Sequence, residues 1–330
     1  MSDVKNKGSM AKDLTSGSVV KLLLRFAAPL FVSNLLQAVY NIVDMIVIGN
    51  VVGGTGMSAV ATGGNILNML TFLAMGFSGA GQVLIARFVG AQDKNSVKKV
   101  IGSMFTLLLS MALLMTVICF IIRNQILHLV NTPEEAYSLT MDYTIICIVG
   151  LVFIYGYNIV SAILRGMGDS KRPFYFVAVA TIVNIVLDIV FVAYLNMSAM
   201  GAALATVIGQ SISFIYSLIY LYRKRENFGF DFKPVSFVPD KTATIQILKL
   251  GIPMALQSAS LTISMTVVAA WVNSFGVISS AIAGVYNKIN AVVGIMSNSM
   301  TTAAAAMVGQ NLGAKKYERV PKILLSAFTI

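Results

Sequence analysis

The sequence predicts an all-α protein that crosses a membrane many times. One complete six-helix bundle is followed by the first two to three helices of a second, parallel copy. Three observations carry this prediction. First, apolar residues make up 57% of the 330 positions and charged residues only 11%, against roughly 25% charged in ordinary soluble domains. Second, the uncharged runs are long enough to span a bilayer. Third, two separate sequence patterns recur at a nearly constant offset.

The runs 100–122, 143–164, 197–222, 250–287 and 289–314 contain no charge, and 174–195 contains only Asp188. About 20 apolar residues cross the hydrocarbon core as a helix. Lipid forces every backbone polar group to be satisfied within the chain, which leaves helices or a closed barrel. Barrel strands alternate apolar with polar residues, and stretches such as Leu107-Leu108-Leu109-Ser110-Met111-Ala112-Leu113-Leu114 do not.

In order, residues 1–18 form a polar tail with Lys5, Lys7 and Lys12, without the pattern of a cleavable leader. Spans follow near 20–47, 57–85, 98–122, 138–162, 173–195 and 199–222, so 19–222 is read as a six-helix lobe. The segment 223–245, hydrophilic and holding Pro234 and Pro239, reads as a linker. Spans near 246–272 and 278–308, and a ninth starting near 320, make 246–330 an incomplete second lobe. Lys21, Arg25, Arg87, Lys94, Lys98, Lys99, Arg165, Lys171, Arg172, Arg223, Lys224 and Arg225 cluster on one side, whereas the loops 50–56, 196–200 and 273–277 are uncharged. Short loops rich in Lys and Arg stay inside. The expectation is therefore a multi-pass cell-membrane protein with a cytoplasmic N-terminus. The net charge of +11 is read as this topology signal and as contact with the lipid bilayer, not as nucleic-acid binding.

The repeat pairs Leu24-Arg25-Phe26-Ala27-Ala28-Pro29 with Leu248-Lys249-Leu250-Gly251-Ile252-Pro253, and Val89-Gly90-Ala91 with Leu312-Gly313-Ala314. The offset is 224 at the prolines (29 and 253) and 223 at the glycines (90 and 313). An even number of spans separates the copies, so they share one orientation. Two full copies would need roughly 450 residues at this offset, which reads as a chain that stops early in copy two.

Charged groups at the bilayer centre are costly and mark function by default. Asp44, Asp188 and Lys288 qualify. Asn34, Gln37, Asn41 and Asp44 are spaced 3, 4 and 3 and share one helical stripe, with Tyr40 on its flank. Thr181, Asn184 and Asp188 form a second stripe. Two stripes ending in acids suit a shared interior cavity that binds a proton or sodium; the bland alternative is polar glue between helices. Asn34, Gln37, Asn41, Gln257 and Lys288 are candidates for the substrate cavity. In copy two, Val267 or Val268 stands where Asp44 stands in copy one, so the coupling chemistry is expected in the first lobe.

Tyr40-Asn41-Ile42-Val43-Asp44 followed by Ile48-Gly49, then Leu164-Arg165-Gly166-Met167-Gly168-Asp169-Ser170-Lys171, Asn184-Ile185-Val186-Leu187-Asp188 and Val308-Gly309-Gln310-Asn311-Leu312-Gly313-Ala314 resemble the multidrug and toxic compound extrusion (MATE) family. The resemblance implies two six-helix lobes around a V-shaped cavity. It implies export of small organic, often cationic, compounds against inward flow of protons or sodium. The family's coupling cluster falls on Asp44, Asn184 and Asp188, with Thr206 and Tyr40 beside them; sodium, where it is used, would sit at Asp44, Asp188 and Asn184. The Glu that some sodium-coupled members carry on the seventh helix has no counterpart here.

No enzyme is expected. There is no H-E-x-x-H, G-x-S-x-G or P-loop pattern. Gly166-Met167-Gly168-Asp169 spells the G-x-G-D of intramembrane aspartyl proteases, but Asp169 lies among Arg165, Lys171, Arg172 and Pro173, where a turn and a helix cap suit it. No metal site or cofactor beyond the coupling ion is expected: His128 is the single histidine, and Cys119 and Cys147 sit inside apolar runs as buried thiols. No obligate protein partner is implied. A lipid or lipid-linked oligosaccharide flippase of related architecture and a non-transporting membrane fragment remain as alternatives.

Overall fold

The computed structural model describes residues 11–273, 275 and 277–330, with side chains described except at Asn227 and at a set of positions between 262 and 289. Among the described residues every regular element is helical. The order is α1 (Val19–Val51), α2 (Gly54–Gly90), α3 (Lys94–Ile121), the short α4 (Arg123–Leu129), α5 (Glu134–Gly166), α6 (Lys171–Asp188), α7 (Ser198–Arg223), the one-turn α8 (Arg225–Phe228), α9 (Lys241–Asn273), α10 (Val277–Gly313) and α11 (Arg319–Thr329). A π-helical turn, Ile189–Tyr194, prolongs α6, and a 3-10 turn, Pro234–Phe237, lies in the linker. Seven helical segments among the described residues are long and apolar enough to cross a membrane. At 1.5 Å per residue the 33 residues of α1 reach about 50 Å, well beyond a hydrocarbon core of about 30 Å. Most helices therefore extend beyond the expected spans, whereas α3 and the π-turn after α6 end one residue short of the expected 122 and 195.

Local chemistry starts and stops these helices. Gly53 adopts φ +83, a left-handed conformation that lets the chain reverse between α1 and α2. Asp93 caps α3: its carboxylate accepts from the Ser96 amide at 3.0 Å and from the Ser96 hydroxyl at 2.6 Å. Those two bonds hold the Asp93 carboxyl below the usual carboxylate range. Pro29 lies inside α1 and Pro253 inside α9.

α5 is the axis of the first bundle, packing on α2, α3 and α7. Gly150 and Gly156 bring its backbone up to the side chains of Val207 and Phe214 on α7. The buried Tyr155 donates its hydroxyl to the Leu70 carbonyl at 2.9 Å. On the outside of α3, Leu113, Leu114, Val117 and Ile121 are exposed, as a lipid-facing surface requires. Cys119 and Cys147 are both buried free thiols.

The repeat is visible in the element lengths. α1 and α9 have 33 residues each, and α2 and α10 have 37 each. α2 begins at 54 and α10 at 277, and they end at 90 and 313, so the offset read at the glycines holds at both ends. The first bundle meets the second copy where α2 packs on α9 and α10, and α1 on α10. Near their C-terminal ends these helices nearly touch backbone to backbone. A Cβ on Gly90 would overlap the Gln310 carbonyl, and one on Gly313 would overlap the Arg87 carbonyl.

The linker is more structured than its polarity suggests. Phe228, Phe230, Phe232 and Phe237 pack edge-on or stacked among themselves, and Phe237 meets Phe105 of α3. The Thr106 hydroxyl donates to the Phe237 carbonyl. Asp240 then caps α9, accepting from the Ala243 amide at 3.0 Å and pairing with Lys99 at 3.2 Å. The Ala243 amide and Lys99 hold its carboxyl below the usual range.

Candidate functional site

The site is built on α1, α6 and α7, adjacent helices of the first bundle. α1 carries Asp44 inward and α6 carries Asp188; they are 4% and 0% exposed. The two carboxyls come within interaction range of each other, so the two stripes do share an interior. Asp188 is the last α-helical residue before the π-helical turn, an irregularity common where helices carry functional groups. On the preceding turn Asn184 donates from Nδ2 to Thr206 Oγ1 of α7 at 3.4 Å. Asn184, Thr181 and Thr206 are all buried.

The distinctive feature is what these groups lack. Asp44 Oδ1, both oxygens of Asp188, Asn184 Oδ1 and Thr181 Oγ1 are buried without a hydrogen-bond partner among the described residues. Buried polar atoms are ordinarily satisfied, and each exception calls for an explanation. Other orphaned atoms, such as the Ser78 and Thr244 hydroxyls, lie on other helices, whereas these five are oxygens on the adjacent helices α1 and α6. Such a set can take up protons or a hard cation, both of which bind oxygen. No cluster of three His, Cys, Asp or Glu residues able to hold a metal ion is found among the described residues.

Two residues that sequence reasoning did not select complete the surroundings. Tyr143 and Cys147 of α5 interact with each other and lie beside Asp44. Gly63 of α2 makes room for the Tyr143 ring, which a Cβ would overlap. Their spacing of four residues places them on one face of α5, but nothing in the sequence says that this face meets Asp44.

The remaining candidates separate. Gln37 and Tyr40 line a cavity of about 10 Å³ with Tyr157, Thr181, Asn184 and Thr206, room for about one water molecule. Asn41 is exposed and turns instead to a wider cleft of about 620 Å³, shared with Met45, Asn50 and Met57. Asn34 does neither: its Nδ2 donates to Ser299 Oγ of α10 at 3.1 Å, tying the two copies together. Gln257 is exposed on α9, and the side chain of Lys288 lies outside the described residues. Asp169 sits in a turn: its carboxylate accepts from the Lys171 amide at 3.2 Å and pairs with Lys12 at 2.9 Å and with Arg172.

A second polar chain crosses between the copies. Arg165 donates from Nε to Gln82 Oε1 at 2.8 Å, and Gln82 donates from Nε2 to the Thr302 carbonyl of α10 at 3.0 Å.

The chain is similar to known proteins along most of its length. The MatE family model matches residues 29–190 and 253–330. The probable multidrug resistance protein YpnP of Bacillus subtilis (strain 168) is 32% identical over 315 residues, covering 94% of this chain and 69% of that protein. The probable multidrug resistance protein YoeA of the same organism is 28% identical over 312 residues, covering 93% and 67%. A solved outward-facing multidrug resistance MATE family transporter of the MOP superfamily superposes with a TM-score of 0.88 at 24% identity, covering 96% of this chain and 70% of that one. That last likeness speaks to fold alone.

Proposed function

The chain belongs to the MatE family of membrane transporters, and from that premise we propose that it exports small organic compounds by antiport, coupled through Asp44 and Asp188. The observation that carries the reading is the pair of buried carboxyls on α1 and α6, set among orphaned oxygens. Two ionised carboxylates in an apolar bundle with no cation beside them would be strongly disfavoured. The pair therefore holds a proton or a sodium ion during part of the cycle, and Asn184, Thr206 and Tyr40 shape the site. An ion loaded here favours one arrangement of the bundle, and its release favours another. Substrate affinity is then linked reciprocally to ion affinity.

The wider, open cleft around Asn41, Ile42, Met45, Ile46 and Met57, apart from the buried acids, has the volume an organic substrate needs. Thioether side chains adapt to varied shapes, which supports a broad range of drug-like compounds, as the names of the Bacillus relatives suggest for those proteins. The Lys and Arg asymmetry assigns the N-terminal face to the cytoplasm of the cell membrane.

Asp44→Asn and Asp188→Asn each keep side-chain shape and remove the titrating group. In the full-length protein, either change reduces gradient-driven efflux to the background of cells lacking the transporter, and the double variant is no worse. Drug efflux from cells at matched expression, followed from pH 6 to 8 with and without sodium, measures this. Wild-type efflux by both single variants would assign the acids to structural glue.

A further inference from the structure

Residues 11–17, ahead of α1, have no place in the ion or substrate site, yet they are held at both ends of the junction between the two copies. On the side of the first bundle, the Lys12 amide donates to the Met167 carbonyl at 2.8 Å and its ammonium pairs with the buried Asp169 at 2.9 Å. The turn that receives it has Gly168 at φ +84, and a Cβ there would crowd the Lys12 carbonyl. On the side of the second copy, the Leu14 amide donates to Gln310 Oε1 at 2.9 Å, and Asn311 Nδ2 donates to the Leu14 carbonyl at 3.2 Å. Lys316 reaches both the carbonyl and the hydroxyl of Thr15 at 3.0 Å, and Arg319 reaches the Gly17 carbonyl at 2.9 Å.

The segment is also shaped to stay. Asp13 folds it by accepting from the Thr15 amide and hydroxyl and from the Ser16 hydroxyl, an Asx-type turn. The Leu14 side chain is 4% exposed in an apolar cluster with Phe26 and Leu30 of α1, Ala306 and Met307 of α10 and Ile323 of α11. Gln310 is a double-sided tie, since its Nε2 also faces the Gly166 carbonyl at 3.4 Å. Five backbone groups of the segment, the Lys12 and Leu14 amides and the Leu14, Thr15 and Gly17 carbonyls, are taken up by partners about 150 or 300 positions away in the chain.

We propose that residues 11–17 are a clasp that holds the two copies together on the N-terminal face, and that this face opens only after the clasp lets go. The junction beside it is already tight, with the Gly90 and Gly313 backbones against the facing helix. Parting the copies here breaks the Leu14, Thr15 and Gly17 bonds together and uncovers Leu14. These bonds exist only in the arrangement closed on this face, so they bias the equilibrium between arrangements, as any differential contact must. The clasp needs the copies to rock apart, as repeat-built transporters do, but it does not depend on which group binds the coupling ion.

A distance measurement on the full-length protein tests this separately from coupling. Spin labels are placed at Lys171 and Lys315, both exposed, with Cys119 and Cys147 replaced by alanine. Lys316→Ala combined with Arg319→Gln removes the ties from the second copy to Thr15 and Gly17, and deletion of residues 2–17 removes the clasp whole. Either change raises the ratio of long to short distances about tenfold, the effect of losing a few modest interactions, whereas Lys94→Ala at the exposed start of α3 leaves it unaltered. An unchanged distance distribution in the correctly inserted double variant overturns the proposal, whatever the deletion does to insertion. Loss of efflux in the Asp44 variants, with the clasp effect intact, leaves the two conclusions independent.

Discussion

At the residue scale, a hydrogen atom in place of a methyl decides how closely α2 and α10 approach. Gly90 meets the backbone of Gln310, and Gly313 meets that of Arg87. The two contacts are related by the repeat. A larger side chain has only backbone to push against, so the helices must separate. Gly313→Val is expected to destabilise by about 1–3 kcal/mol, the usual cost of overpacking, seen as a lower melting temperature in purified protein. The same glycines mark the repeat in the sequence, but their contact cannot be read there because it depends on which helices face each other. The acids show the same division. Spacings of three and four put Asp44 and Asp188 at the ends of polar stripes. That the stripes face each other, and that Tyr143 and Cys147 stand beside them, is decided by helix packing.

At the scale of elements, the helices are the legible part. Long uncharged runs leave lipid-spanning helices as the only outcome, and the observed α1 to α10 cover the expected spans. The linker is where sequence reasoning stops. Its charges and prolines read as a connector, and its phenylalanines gain meaning only against Phe105. Phe230 is buried, and Phe230→Ala should cost about 3 kcal/mol or more if the cluster packs as a core does. Asp240 adds a pH dependence to the same element. Its carboxyl lies lower in the folded chain than the ordinary value of 3.8. The contribution is therefore complete above that value and lost as pH falls through the folded one. Limited proteolysis within 229–240 should be slow at pH 7 and accelerate in acid. Asp240→Asn should already be faster at pH 7, and cleavage that ignores the substitution would separate Asp240 from linker docking.

For the molecule as a whole, the Lys and Arg asymmetry predicts an orientation with the N-terminal face in the cytoplasm. A single cysteine at Pro133 should react with a membrane-impermeant reagent from outside the cell, and one at the exposed Val235 should not. The reverse pattern would invert the assignment. The parallel repeat was legible because two motifs kept one offset. The clasp was not, because residues 11–17 carry no pattern of their own and acquire partners only when α10 and α11 are in place. The near-contact of α2 and α10 has a mechanical consequence. It lies close to one end of helices that run 37 residues, about 55 Å. With the clasp shut, this point is a fulcrum and each helix a long lever. A tilt of about 10° there would swing the opposite end by about 9 Å, close to the width of a whole helix. A small repacking of side chains around Gly90 and Gly313 would thereby be geared up into a displacement as wide as a helix at the far end.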